Sequence, residues 1–149
     1  MACFPFVVVD ANVPALRLRR EQPFLFLSIL TVTSHKSPRV QNLLSDELRR
    51  QLARVIEYSQ KSLDILQGLL VYGAWYHAFY HPASQQLAIL VQLCVALVQD
   101  LGISRSEKTK PGRSVNEYAM QSKPKGTLPE KRAFLGTFIL TALYVHLII

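Results

Sequence analysis

One stretch of the chain decides the fold more than any other, SLDILQGLLVYGAW at residues 62–75. Ser62 is suited to cap a helix, and Asp64 follows in the first turn, where the positive end of the helix dipole favours a carboxylate. The large apolar residues cover most of the surface of such a helix: Leu63, Leu66, Leu69, Leu70 and Trp75. The stretch therefore predicts a helix that is deeply buried.

Two apolar segments precede this stretch, and both predict helices. Residues 23–33 include β-branched side chains that allow a strand, but residues 16–22 before them and a proline suited to a first helical turn favour a helix. The next segment begins with Ser37 as a candidate cap and Pro38 as a first helical residue. Its apolar residues recur at steps of three and four and share one face: Val40, Leu44, Leu48, Leu52, Val55 and Ile56. Charged residues lie between them, which is typical of an amphipathic surface helix.

A fourth helix is predicted after the break at Pro82. Apolar residues with helical spacing run from Leu87 to Leu101, and Gly102 then provides an end signal. We expect this helix to form an antiparallel hairpin with the helix of residues 62–75.

The last part of the chain predicts a loop followed by a fifth helix. Residues 104–128 hold most of the polar residues, prolines and glycines and lack apolar periodicity, which indicates an exposed, basic, flexible loop. Thr127 and Glu130 have the spacing of a capping box, and residues 133–149 then supply the apolar surface of a helix.

Composition indicates one intracellular globular domain. The 149 residues are 50% hydrophobic and 18% charged, as in chains that fold around a packed core. Cys3 and Cys94 can build neither a disulfide framework nor a four-ligand zinc site by themselves. No basic residue precedes the short apolar run at residues 4–9, unlike a secretory signal. The sequence therefore predicts an all-α fold of about five helices, in a bundle or partial bundle spanning residues 1–149.

The net charge of +7 is concentrated in one segment. Between Arg105 and Arg132, eight basic residues stand against three acidic ones. The lysines are spread among serine, proline and glycine, with Tyr118 as the only aromatic residue. This pattern indicates a solvated connection rather than a nucleic-acid groove with stacking platforms, although it allows weak nonspecific attraction to polyanions.

Histidine and cysteine side chains can bind metals or act as nucleophiles, but structural roles are favoured for His77, His81 and Cys94. His77 and His81 have the four-residue spacing of a helical metal site, which would serve a metal-dependent enzyme. Ala78 stands where a zinc protease has its glutamate, and a proline follows, so helix-end histidines are preferred. Cys94 lies on the apolar stripe of its helix and is predicted to be a buried, inert thiol.

Structural roles are also favoured for residues near the helix ends. An aromatic group could line a small-molecule pocket, but packing at the helix end is preferred for its members: Tyr72, Trp75, Tyr76, Phe79 and Tyr80. Asp100 is unfavourable near a helix C-terminus, so we expect a partner such as a neighbouring helix N-terminus or Arg105. No catalytic, cofactor-binding or metal-binding residue is assigned.

Several phrases follow one another along nearly the whole chain: FPFVVV (4–9), LRREQPFL (18–25), SLDILQGLLVY (62–72), AWYH (74–77), QL (92–93), DLGI (100–103) and KRAFLG (131–136). No single phrase is diagnostic, because each could occur in another helical protein. In this order they resemble the middle regulatory region of fungal zinc-cluster transcription factors, also called the fungal-specific transcription factor domain.

The resemblance implies a nuclear protein in which an N-terminal six-cysteine cluster holds two zinc ions and reads DNA, while this helical region regulates activity. The implied partners are proteins of the transcription machinery or a second copy of the chain. Cys3 and Cys94 alone cannot hold two zinc ions, so no cofactor is expected in this chain and DNA binding would need a separate module.

The end of the chain departs from the family, which continues into many more helices after the phrase at residues 131–136. We therefore expect a truncated gene model or an unspliced end. Loss of the remainder would expose the last helix and part of the helix of residues 62–75, which predicts poor solubility or self-association. As an alternative function, the uncharged residues 133–149 could anchor a small membrane-associated protein. Their short length and His146 favour a core helix instead.

Overall fold

A computed structural model describes residues 5–76, 86–103 and 126–148, with side chains up to residue 146. These residues form six α-helices and contain no strand. In chain order the helices are α1 (Ala15–Glu21), α2 (Pro23–Thr33), α3 (Pro38–Glu57), α4 (Leu63–Ala74), α5 (Leu87–Asp100) and α6 (Leu128–Ile148), with a 3-10 turn at Ser34–Lys36. The predicted all-α fold is confirmed.

Helix α1 is additional to the five predicted helices. It follows Pro14 and contains no buried residue. On its surface, the Arg17 Nε atom lies 2.9 Å from Glu21 Oε1. These two exposed side chains are four residues apart and form an ion pair. Because none of its side chains enters the core, α1 lacks the apolar periodicity by which the other helices were predicted.

Helix α4 lies at the centre and contacts α2, α5 and α6. Every residue from Ile65 to Gly73 is buried, so the predicted deep burial is confirmed and no part of this run is exposed. The Ile65 N–H donates to Ser62 Oγ over 3.2 Å, which confirms the predicted cap. Trp75 was wrongly included in the buried surface, because the helix ends at Ala74 and Trp75 remains 37% exposed.

Helices α2 and α4 approach each other closely at Gly68. A Cβ atom there would lie 2.5 Å from Phe24 Cδ1 and 2.9 Å from Ser28 Oγ, so only a glycine fits this contact. Ser28 is itself fully buried, and its hydroxyl donates to the Phe24 carbonyl over 3.0 Å. Because that bond satisfies the hydroxyl within α2, a small polar residue can lie at the helix contact at little cost.

Helix α3 is amphipathic, as predicted, but two residues at the edges of its predicted apolar face are exposed. Leu48 and Val55 are buried, whereas Val40 and Ile56 are 45% and 59% exposed. Gln41 is buried in their place, and its Nε2 donates to the Thr31 carbonyl of α2 over 3.3 Å. Ser37 occupies the cap position before Pro38, but its side chain makes no capping bond.

Two helices end in the same hydrogen-bonded motif. At the end of α5, the N–H of Ile103 donates to the Val98 carbonyl over 3.2 Å, and Gly102 adopts a positive φ of 69°. This is a Schellman motif, which confirms Gly102 as the end signal. At the end of α3, Ser59 takes the equivalent position with a φ of 50°, although a side chain is disfavoured there.

The last two helices complete the core against α4. Helices α4 and α5 contact each other, as the predicted hairpin requires, and α6 packs against both. At the start of α6, the Thr127 N–H donates to Glu130 Oε2 over 2.7 Å, which is one half of the predicted capping box. The connection between α4 and α5, and residues 104–125 of the predicted loop, lie outside the described residues.

Candidate functional site

The Asp64 carboxylate joins two helices at one point. Its Oδ2 accepts the N–H of Phe24 over 3.1 Å, and its Oδ1 accepts the N–H of Leu25 over 2.8 Å. Asp64 therefore caps α2 from another helix, besides lying in the first turn of α4 as predicted. Burial raises the pKa of this carboxyl above its ordinary value, and the two backbone bonds oppose that rise.

Sequence reasoning missed this contact between helices, although the chain carried a signal for it. The residue before α2 is Gln22, whose side chain makes no capping bond, and Pro23 takes the first helical position. The N–H groups of a first turn need acceptors, so a helix start without its own Ser, Thr, Asp or Asn indicates that a distant acceptor supplies the cap.

The described aromatic residues at the end of α4 hold helices together. The rings of Tyr72 and Tyr76 meet edge to face, with centroids 6.1 Å apart. The Tyr72 hydroxyl lies 2.9 Å from Ser45 Oγ of α3, and Tyr76 Oη accepts the N–H of Gln86 at the start of α5 over 2.8 Å. Phe79 and Tyr80, the remaining members of the predicted cluster beyond Trp75, lie outside the described residues.

Asp100 has the partner that its unfavourable position requires, and this partner, Lys61, was not among the residues named from the sequence. Its Oδ2 lies 3.0 Å from Lys61 Nζ, just before α4 begins. Arg105 lies outside the described residues. Both members of the pair are about half exposed, so the pair contributes little to stability.

Cys94 is fully buried in α5, and this burial raises the pKa of its thiol to about 12. The thiolate that reacts or binds metal is therefore not formed near neutral pH. His77, His81 and Cys3 lie outside the described residues. Within the ranges that the structure covers, no three His, Cys, Asp or Glu side chains come together as metal ligands would.

Helix α6 presents an uncovered apolar surface, the outer face, formed by Phe134, Leu135, Phe138, Ala142 and Val145. The four larger side chains of this face are between 39% and 67% exposed. The opposite side of the helix is buried against α4 and α5, through Ala133, Thr137 and Leu140. The predicted exposure of this helix is thus confirmed on one side. A contiguous apolar surface of this kind is typical of a site of interaction with another macromolecule.

A second apolar depression lies between the end of α3 and the outer side of α5. Its volume is about 440 Å³. Its lining residues are Ile56, Ala88, Ile89, Gln92, Leu93 and Ala96. No charged side chain lines it, and its opening to solvent is wide. It offers a shallow contact surface rather than an enclosed ligand site.

The membrane alternative depends on the length and hydropathy of the helices. Among the described helices, including α6, none is long and apolar enough to cross a membrane.

Comparison with known proteins identifies relatives among fungal regulators. Transcription factor himD of Aspergillus japonicus is 31% identical over 137 residues, which are 90% of this chain and 23% of himD. Transcription factor opdL of Penicillium oxalicum is 29% identical over 148 residues, 93% of this chain and 26% of opdL. Weak acid resistance protein 1 of Saccharomyces cerevisiae is 28% identical over 105 residues, 66% of this chain and 11% of that protein.

No family model and no solved structure matches the chain. The chain spans about a quarter of the length of himD and opdL. The match to both runs along nine tenths of its own residues, so it includes the central helix α4. The predicted resemblance is confirmed: this chain is homologous to a region of fungal transcription factors.

Proposed function

We propose that the chain acts in transcription regulation, as a single helical unit of the regulatory region of a nuclear zinc-cluster transcription factor. The match to himD and opdL over nine tenths of the chain carries this proposal. DNA is read by a separate zinc-cluster module, because the two cysteines of this chain cannot hold two zinc ions.

In this proposal the helical unit works by contact with other proteins. The outer face of α6 supports such a role, because its large side chains are held in place by a helix whose inner side is packed. A preformed apolar surface loses little conformational entropy on binding. The assigned role therefore needs no reacting side chain, only the position and shape of this surface.

A tethering experiment tests the proposal. The full chain is fused to an unrelated DNA-binding domain, and expression of a reporter gene carrying that domain's site is measured in a fungal host. We expect the fusion to change reporter expression relative to the DNA-binding domain alone. A fusion that accumulates to a normal level and leaves expression unchanged would contradict the proposal.

Two charge substitutions make the test specific to the surface. Phe138→Glu places a carboxylate in the outer face of α6, and it should remove at least about half of the effect, because a buried unpaired charge weakens a contact strongly. Leu43→Glu is the matched control, since Leu43 is 62% exposed on a different helix, α3. An equal loss in both variants would indicate a general effect on folding instead.

A further inference from the structure

We infer that residues 5–21 form a releasable strap on the helical bundle, held in place by the side chain of Val7. Release of Val7 and loss of helix α1 are a single conformational step, and helices α2 to α6 stay folded while it takes place. This step gives the regulatory unit two states, so its biological meaning rests on the proposed function.

The strap has one buried side chain. Val7 is 6% exposed, whereas its neighbours Val8 and Val9 are 60% and 38% exposed. The apolar core and the partly buried side chains packed against it include Val7 and no other residue of the strap. Because burial of apolar surface is the main force that holds a peripheral segment on a core, Val7 is the anchor of the strap.

Polar contacts do not tie the strap to the bundle. Among the described residues from Val7 to Glu21, the hydrogen bonds and ion pairs all join residues at most four apart. Asp10 Oδ1 accepts the N–H of Asn12 over 2.9 Å, and the Asp10 carbonyl accepts the N–H of Val13 over 3.1 Å. These local bonds form a turn between Val7 and α1, and they give no resistance to release of the strap.

Helix α1 is too short to persist without the anchor. It has seven residues and no buried side chain, and isolated helices shorter than about 12 residues are marginal in water. The turn after Asp10 connects α1 to Val7 at one end, and Gln22 connects it to α2 at the other. When Val7 leaves the core, α1 is held at one end only, so it unfolds with the release.

The bundle keeps its own core when the strap is released. Apart from Val7, the core residues come from helices α2 to α6 and from Tyr76. The first turn of α2 also needs no support from α1, because the Asp64 carboxylate of α4 accepts the N–H groups of Phe24 and Leu25. Asp64 therefore fixes the boundary at which the strap ends and the bundle begins.

Hydrogen exchange of the full chain tests the strap. Val7→Asp should speed exchange of the α1 amides at least about tenfold, because an unpaired carboxylate is strongly disfavoured in an apolar core. Val8→Asp is the matched control, since Val8 is 60% exposed, and it should change this exchange less than about threefold. The α4 amides should stay protected at least about 100-fold relative to an unstructured peptide in both variants.

Val7→Ala keeps the test decisive if the charge unfolds the bundle, because alanine weakens the anchor and leaves the core apolar. It should speed exchange in α1 and leave α4 protected. Unchanged α1 exchange in both Val7 variants, equal acceleration by Val8→Asp, or loss of α4 protection in Val7→Ala would each overturn the strap.

The reporter fusion tests whether release of the strap regulates the unit. Val7→Ala should change reporter expression at least about twofold relative to the unchanged fusion, because it shifts the population between the two states, and Val8→Ala should not. Equal expression from both variants would overturn the regulatory role of the strap. An unchanged fusion without any effect would contradict the proposed function, while hydrogen exchange would still decide whether the strap opens.

Discussion

At the scale of single residues, Asp64 links helices that are far apart in the sequence. Its carboxylate accepts two N–H groups at the start of α2, 39 and 40 residues away. A carboxylate that accepts N–H groups at a helix start makes stronger bonds than a neutral acceptor, because the charge is complementary to the helix dipole. The position of α2 on α4 therefore depends on one side chain as well as on apolar packing.

Replacement of Asp64 tests this link. Asp64→Ala leaves the N–H groups of Phe24 and Leu25 without their acceptor, so the free energy of unfolding should fall by about 2 kcal/mol. Urea unfolding followed by circular dichroism measures the change. Asp46→Ala is the matched control, because the Asp46–Arg49 pair is exposed and should contribute less than about 0.5 kcal/mol. Equal effects of the two substitutions would contradict the capping role.

The pH dependence of stability provides a second test of Asp64. Burial raises its pKa in the folded chain above the ordinary value of 3.8, so the folded state holds the proton more tightly than the unfolded state. The stability from this group is therefore full below pH 3.8 and decreases as pH rises through the folded pKa. Asp64→Asn should remove this component. Urea unfolding compares the parent chain with the Asp64→Asn variant from pH 3 upward. Parallel curves of unfolding free energy against pH would contradict the raised pKa of Asp64.

At the scale of helices, the contact between α2 and α4 is set by Gly68. Gly68→Ala would bring a methyl group 2.5 Å from the Phe24 ring, so the helices must separate, at a cost of about 2 kcal/mol. Gly73→Ala is the matched control, because the methyl would lie 3.0 Å from Leu140 Cδ2, at the end of a flexible side chain rather than against a ring. At residue 73, the higher helix propensity of alanine offsets the energetic cost of this contact. Thermal unfolding of both variants compares them, and a neutral Gly68→Ala would contradict the close approach.

The two Schellman motifs predict that Ser59→Gly stabilises the fold and that Gly102→Ala destabilises it. Ser59→Gly relieves a left-handed conformation at the end of α3, and a gain of about 0.5 to 1 kcal/mol is expected. Gly102→Ala introduces the same strain at the end of α5, and a loss of about 1 kcal/mol is expected. No atom lies within 4 Å of a Cβ added at Gly102, so that loss reports backbone strain alone. Denaturant midpoints that move in the same direction for both variants would rule out this explanation.

At the scale of the whole molecule, the charge of +7 should produce weak binding to DNA without sequence preference. The basic excess lies mainly between Arg105 and Arg132, and electrostatic attraction of this kind is strongly reduced by salt. Fluorescence anisotropy with two unrelated duplexes should give equal affinities that decrease at least about tenfold between about 50 and 200 mM salt. Preference for one duplex that persists in salt would show that the chain reads DNA itself.

The sequence alone determined five of the six described helices, several of their starts and ends, and the family relationship. Leu48 and Val55 of α3, the Ser62 cap and the Gly102 stop follow rules that act over one to four residues, which is why they could be predicted. The α1 helix was missed because its side chains remain in water. Trp75 was misplaced because a helix end is decided by only one or two residues.

Only the tertiary structure decided how the helices meet and which surface they leave open. The bonds from Asp64 to α2, the Lys61–Asp100 pair and the fit of Gly68 against Phe24 join residues that are about 40 positions apart, and no local pattern contains such pairs. Helix α6 is apolar on all sides in sequence, so its period could not show which side would be buried. The buried side is the one on which Ala133 and Leu140 pack against α4 and α5, so Phe138 faces outward.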